Sequence, residues 1–441
     1  MEVSSSASET ATSDDELRRG GEVNRRPIVS DEHLDVEAYA ALYTGRTKII
    51  RLKYIADKCG VPSMELEALR IAYDEAKKGG DSGLFNEIVR KIDGRLGEAY
   101  GPDDEWVSGV EKRVTSRREK LETDISASVE DNIKESVRVA YEDLGYFSYE
   151  HGFLGEAFRS YARSVEYCST PEQVVHACMN VIRVSLEMNQ HGTVGKYVNK
   201  AEETKGGLDS LAVAKLRCVA GLVFLGTKDY KHAARKFLET GFELGNNYSE
   251  VIASQDVATY GGLCALASFD RAELKRRVID NVNFRNFLEL VPEVRELIND
   301  FYTSRYASFL EYLETLRAKM VVDIYLQRHM EGLYDKIRNK ALIQYTLPFV
   351  SMDIRMMANA FKLSVTEMEK ELEGLITKNI IQAKIDSHNK ILYGRHADQR
   401  KGTFQRVLRV ANKFDQDVRA MLLRASIIMH DCNHDDAYYP S

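Results

Sequence analysis

Proline, tryptophan and cysteine are scarce in this 441-residue chain, at seven, one and six copies, and each scarcity excludes something. With so few helix breakers, and with Ala, Leu, Glu, Lys and Arg abundant, the composition favours long helices and disfavours an all-β protein. The cysteines (Cys59, Cys168, Cys178, Cys218, Cys264, Cys432) are scattered and form no C-x-x-C pair. They read as buried thiols of a reducing compartment rather than a disulfide framework. No run of eighteen apolar residues occurs, so no membrane-spanning helix is expected. The first 26 residues lack the apolar stretch of a signal peptide, which predicts a soluble, intracellular protein. Nor is there a basic excess: 61 Lys and Arg against 68 Asp and Glu leave a formal charge of -7, with no electrostatic reason to bind a polyanion.

Catalytic signatures are missing as well. There is no G-x-x-x-x-G-K-[ST], and the GTVGK of Gly192 to Lys196 is too short for a phosphate loop and suits a turn between helices. H-E-x-x-H, G-x-S-x-G and G-x-G-x-x-G do not occur, and neither does the His-x-His, Ser and Asp pattern of zinc isopeptidases. His430, Cys432 and His434 in the terminal HDCNHDD could catch a metal, but three crowded ligands far from any core read as a disordered tail. We therefore expect no cofactor, no metal and no catalysis by this chain alone.

What is present is 44% apolar residues in helical patterns. Residues 1–30 mix acidic and basic side chains, including the pair Arg25 and Arg26, with little to pack, and predict a mobile extension. From Asp35, Val36, Tyr39, Leu42, Tyr43, Ile49, Ile50, Leu52 and Ile55 recur at helical spacing, and Pro62 opens a second helix through Leu66, Leu69 and Tyr73. A single long helix is expected from Trp106 through Val137. Then a pattern repeats: Tyr141, Leu144, Gly145, Ala157, Tyr161, and later Gly221, Phe224, Tyr230, Ala233, Phe237. Between them Met179, Ile182, Leu186, Tyr197 and Ala201 give a degenerate copy. Aligning Ala157, Tyr197 and Ala233 gives spacings of 40 and 36 residues, which suit stacked helix pairs of tetratricopeptide type. The expected fold is mostly α, a right-handed helical-repeat solenoid over residues 31–335.

A different pattern follows over residues 336–400. Pro348 breaks the chain, and Ser351 opens a short helix with Ile354, Met357, Ala358 and Phe361 inward. Ser364 and Glu367 then form a capping box ahead of Val365, Met368, Leu372, Leu375 and Ile376. Ile381, Ala383 and Ile385 alternate with polar residues, a turn follows, and Ile391, Leu392 and Tyr393 return. Helix, turn, helix and two-stranded wing predict a winged helix. Its second helix, Thr366 to Lys378, has a net charge of -2, which opposes entry into a DNA groove. Protein binding through an exposed strand edge is the better reading, with Ile381, Ala383, Ile385, Ile391 and Tyr393 as candidate contacts. Finally, over residues 401–430, Phe404, Val407, Ala411, Phe414, Val418, Met421, Ala425 and Ile428 are spaced 3, 4, 3, 4, 3, 4, 3, an unbroken heptad seam expected to meet similar helices. Residues 431–441 read as a flexible tail.

This order of repeat array, winged helix and terminal helix resembles the PCI-domain family of the proteasome lid, the COP-nine signalosome and translation initiation factor three. The stretches RPIVSDEHLDVEAYAALYTGRTKIIRL (Arg26 to Leu52), YGGLCALASFDRAELKRRVIDN (Tyr260 to Asn281), FRNFLELVPEVRELINDFYTSRYASFLEYL (Phe284 to Leu313) and KALIQYTLPFVSMDIRMMANAF (Lys340 to Phe361) are similar to the subunit-one branch of the signalosome, in a plant form. The resemblance extends to the matching lid subunit, which has the same architecture. The resemblance implies a non-catalytic subunit, in cytoplasm and nucleus, of the complex that removes the ubiquitin-like Nedd from cullin ligases and represses light-dependent development in plants. It also implies that the zinc site lies in an MPN-type partner, that PCI partners join wing edge to wing edge, and that terminal helices gather in a bundle. Cullin-RING ligases would be contacted indirectly, without membrane or nucleic acid. The alternatives from the residues are a lid subunit of the same architecture and a winged-helix regulator that binds DNA or RNA.

Overall fold

The computed structural model describes residues 35–204, 206, 208–394 and 399–435. The extension expected over residues 1–30 and the side chains of Cys432 and His434 lie outside the described residues. Contacts divide the chain into two compact units, Met1–Ala341 and Leu342–Ser441, and each is described by itself. No helix among the described residues is long and apolar enough to cross a membrane.

The first unit begins with α1 (Val36–Ala41), α2 (Gly45–Lys58), α3 (Pro62–Lys78), α4 (Ser82–Ile92) and α5 (Asp104–Glu130). Pro62 stands in the first turn of α3, where its missing N–H removes no helical bond, and Asp81 and Asp103 cap α4 and α5 by accepting from Leu84 and Trp106 amides. Three helix pairs follow: α6 (Lys134–Glu150) with α7 (Leu154–Ser164), α8 (Pro171–Glu187) with α9 (His191–Glu203), and α10 (Ser210–Gly226) with α11 (Tyr230–Leu238). Each packs on its mate and on the next pair, giving a helical solenoid. The array continues through α12 (Ser254–Ser268), α13 (Arg271–Leu274) with a π-helical turn at Lys275–Ile279, α14 (Val282–Glu289), α15 (Pro292–Tyr302), α16 (Tyr306–Val321) and, as far as Ala341, α17 (Met330–Thr346), the helix in which the two units meet along the chain.

The single helix expected from Trp106 to Val137 is two. The chain turns between α5 and α6 at Asn132, whose φ of 53° is left-handed, a conformation Asn tolerates better than most residues. Val129, Ile133 and Val137 keep their spacing of four across the break, so periodicity cannot reveal it, yet Val129 and Ile133 are exposed.

Small residues set the pairing distance in the repeats. A Cβ at Gly145 would lie 2.7 Å from the Tyr161 ring, and one at Gly221 would lie 2.7 Å from Phe237. These glycines admit the aromatic of the paired helix. In the middle repeat the sizes are exchanged: Ser185 and Ala201 are buried at the equivalent positions, so the smaller partner no longer demands a glycine.

The α1–α2 lead-in is pinned to the distal part of this unit by a buried arginine. Arg51 donates to Asp323 (3.0 Å), Asp256 (3.1 Å) and the Tyr39 hydroxyl (2.8 Å), and its guanidinium lies 4.1 Å from the Tyr43 ring centre. Tyr43 donates to Asp256 and Tyr260 to Asp323, both at 2.7 Å, and backbone amides add to them: Ala253 donates to Asp256, and Tyr325 and Leu326 donate to Asp323. Burial pushes the Asp256 carboxyl above its ordinary range while Arg51 pulls it down; burial likewise pushes Tyr39 up to about 12. The apolar spacing points Ile50 inward with Ile49, Leu52 and Ile55, but Arg51 takes the buried place and Ile50 is half-buried.

Candidate assembly interface

The second unit contains β1 (Ser351–Asp353), α18 (Ile354–Ala360), α19 (Val365–Thr377), β2 (Ala383–Asp386), β3 (Ile391–Gly394) and α20 (Gln399–Asp435). The capping box forms as expected: the Ser364 amide donates to Glu367 (3.2 Å) and the Glu367 amide to the Ser364 hydroxyl (3.3 Å). Ile354, Met357, Ala358 and Phe361 of the first helix region meet Met368, Leu372 and Leu375 of the second in the buried set. This is the helix-turn-helix core of a winged helix.

Two expectations need correction. Ser351 does not open a helix: residues 351–353 form a strand, and α18 starts at Ile354 with Asp353 as its cap. Three residues are too few for a period-two signal, so pairing rather than pattern decides this strand. As a result the sheet has three strands in the order β1-β3-β2. Ile391 and Tyr393 therefore do not lie on an edge. β3 is central, pairing Ser351 with Tyr393 on one side and Lys384 with Tyr393 on the other, and its backbone groups are already engaged. The outer strands are β2 and β1. Ile381 and Ala383 have buried side chains, Ile385 and Ile391 are half-buried, and Tyr393 is exposed on the sheet face. A partner strand would thus read the backbone of β2, not the side chains of Ile381 or Ala383.

The charge on α19 is partly absorbed within the wing: Lys390 donates to Glu369 at 2.9 Å. A cation that could have faced phosphate is paired with a carboxylate of the very helix that would enter a groove.

The heptad residues come together on one face of α20, whose 37 residues extend over roughly 55 Å. Phe404, Val407, Phe414, Met421 and Ile428 are each about 60–70% exposed; Ala411 and Ala425 are exposed and Val418 is half-buried. Beside the seam, Leu408, Leu422 and Met429 are exposed at the position following every d residue except Phe414, where Asp415 stands. Three apolar positions per heptad make a stripe wider than a two-helix coiled coil requires, the width of a helix that faces several neighbours. The Leu408, Leu422 and Met429 stripe was legible as spacing, but a strict a/d reading passes over it. Among the described residues of this unit, no other element covers it.

Comparison with known proteins bears on these features directly. Residues 103–277 match the family described as 26S proteasome subunit RPN7, and residues 299–396 match the PCI domain. The chain is 60% identical to COP9 signalosome complex subunit 1 of Arabidopsis thaliana, over 93% of the chain and 94% of that protein. The chain belongs to the COP9 signalosome subunit 1 family. COP9 signalosome complex subunit 1b of Drosophila melanogaster is 36% identical over 91% of the chain and 86% of its own length. The 26S proteasome non-ATPase regulatory subunit 6 of Caenorhabditis elegans is more distant, at 27% over 67% and 75%. Membership in this family agrees with the helical array and the PCI winged helix described above.

Proposed function

We propose that this chain is a non-catalytic scaffold subunit of a plant COP9 signalosome, and that it acts by position. It joins PCI partners by pairing on the outer backbone of β2, and it enters a bundle of terminal helices through α20. The isopeptidase that removes Nedd from cullin-RING ligases then sits in an MPN partner held in place by this framework, in cytoplasm and nucleus, and the control of those ligases represses light-dependent development. The observation that carries the reading is the apolar stripe on α20, exposed in the single chain at every seam position except the half-buried Val418. Burying one Phe or Met side chain yields about 1.5–3 kcal/mol, so a stripe of this size has a large incentive to find cover.

The test is the double variant Phe414→Glu with Met421→Glu. Both positions are exposed in the free chain, so circular dichroism and thermal unfolding of the isolated subunit should not change. Co-purification with signalosome subunits from cell extract should be abolished. Normal assembly of this variant would refute the bundle role. Native mass spectrometry of the tagged chain separates the signalosome from the lid, because the subunit masses differ.

A further inference from the structure

The heptad seam is one side of α20, and the reverse side changes character part-way along. In the first half of the helix the reverse side carries Arg406, Arg409 and Lys413 among Gln405, Asn412 and Gln416, all exposed, which suits a face turned to water. Past Arg419, which pairs with Asp415 at 3.0 Å, that side becomes Ala420, Leu423 and Ile427. Leu423 is 63% exposed and Ile427 52%, as open as the seam residues they back. From Ala420 to Met429 the only polar side chains are Arg424 and Ser426. For about three turns the helix is therefore apolar on both sides. A helix apolar all round belongs in an interior. A partner laid along the seam alone would leave Leu423 and Ile427 in water, so a single covering helix does not suffice here.

Arg424 narrows the chemistry of the cover. The residues one turn away along the helix, Ala420, Met421, Ile427 and Ile428, offer it no carboxylate, and it has no ion pair among the described residues. A guanidinium taken out of water by surrounding helices needs a carboxylate from one of them. A second copy of this chain does not bring one. With the seams matched in parallel, Arg424 meets Met429; with Phe404 set opposite Ile428 in an antiparallel pair, it meets Val410, while Asp415 and Asp417 each face their own counterparts. The acid must come from a different chain.

We propose that Ala420–Met429 is the inner stretch of the bundle, encircled on its seam and on its reverse side by terminal helices of other subunits, one of which sets an Asp or Glu against Arg424. This rests on the bundle reading given above and adds two things to it. The reverse side of α20 is interface as well, but only beyond Arg419, and the neighbour at the level of Arg424 is acidic. Before Arg419 the helix runs along the rim of the bundle, with Arg406, Arg409 and Lys413 toward solvent.

The experiment recovers tagged full-length variants from cells. Leu423→Glu with Ile427→Glu alters only the reverse side, and it should lose co-purification of signalosome subunits as completely as Phe414→Glu with Met421→Glu. Arg409→Glu with Lys413→Glu should keep it. All six positions are exposed in the single chain, so circular dichroism of each isolated variant should match the native chain. In the assembled complex, Arg424→Lys keeps the charge and supplies an amine; a water-soluble carbodiimide should couple it to an Asp or Glu of another subunit, read as a joined peptide by mass spectrometry. The outcomes separate the two ideas. Normal assembly of the seam variant refutes the bundle itself. Loss with the seam variant and normal assembly with Leu423→Glu and Ile427→Glu overturns the encirclement and leaves the bundle standing. Loss with Arg409→Glu and Lys413→Glu overturns the rim assignment. No coupling of Arg424→Lys, or coupling only to a second copy of this chain, overturns the acidic neighbour.

Discussion

Replacing Arg51 by Met keeps the bulk of the side chain and removes the charge that two buried carboxylates share. In the native chain Asp256 and Asp323 each hold one arm of the guanidinium and one tyrosine hydroxyl. Without Arg51 they are left facing each other in a site closed to water. Breaking a buried pair from one side costs roughly 3–5 kcal/mol, a large part of the roughly 5–15 kcal/mol that holds a domain together. The loss should be local before it is global: α1, α2 and the link between them carry Tyr39, Arg51 and Tyr43, so amides there should exchange with deuterium far faster, while those of α8 to α11 keep most of their protection. Acid should relieve the variant. Burial already raises the Asp256 carboxyl in the native chain, and loss of Arg51 removes the pull that opposes it. The folded variant then binds protons more tightly than its unfolded chain, so its stability falls as pH rises from the ordinary carboxylate range through the raised value. Urea unfolding from pH 4 to 8, combined with exchange mass spectrometry, measures both effects. Adding Asp256→Asn and Asp323→Asn to the Arg51→Met chain should restore much of the loss. A cost below about 1 kcal/mol, or no rescue by the neutral pair, would refute the reasoning.

Other outcomes follow from single contacts. Gly221→Ala should cost about 1–3 kcal/mol, because its Cβ would stand 2.7 Å from Phe237; adding Phe237→Leu should return part of that cost in chemical denaturation. Lys340, whose ammonium donates to the Phe269 carbonyl, is driven by burial from 10.5 to about 8. Its unfolded form holds the proton more tightly, so its contribution to stability is lost as pH falls from about 10.5 through about 8, and Lys340→Met should remove that slope from the pH–stability curve. Burial raises the thiols of Cys178, Cys218 and Cys264, Cys178 to about 11, so iodoacetamide should label them only after unfolding.

Much of this architecture was readable because it rests on local rules. The capping box at Ser364, Pro62 in a first turn and the 3, 4 spacing of Phe404 to Ile428 are decided by neighbours within one or two helical turns, and the structure has them all. The helix pairs were visible for a related reason: Gly145 with Tyr161 and Gly221 with Phe237 recur at one separation, so a contact between helices leaves a trace in the order of residues.

Where contacts join distant residues, or where two patterns agree with one spacing, the sequence was silent. Val129, Ile133 and Val137 suit one helix or two equally well, and only the left-handed turn at Asn132 separates α5 from α6. Ser351–Asp353 become a strand because β3 is there to pair with them, which moves the free edge away from Ile391 and Tyr393. Arg51 looks like one more charge on an amphipathic helix until α12 and the turn after α16 bring Asp256 and Asp323 beside it, across more than two hundred residues of chain. Sequence determines periods, caps and sizes, since these act over a few bonds of backbone; burial of a charge and the exposure of a strand edge depend on which remote groups arrive, and only the folded chain decides that.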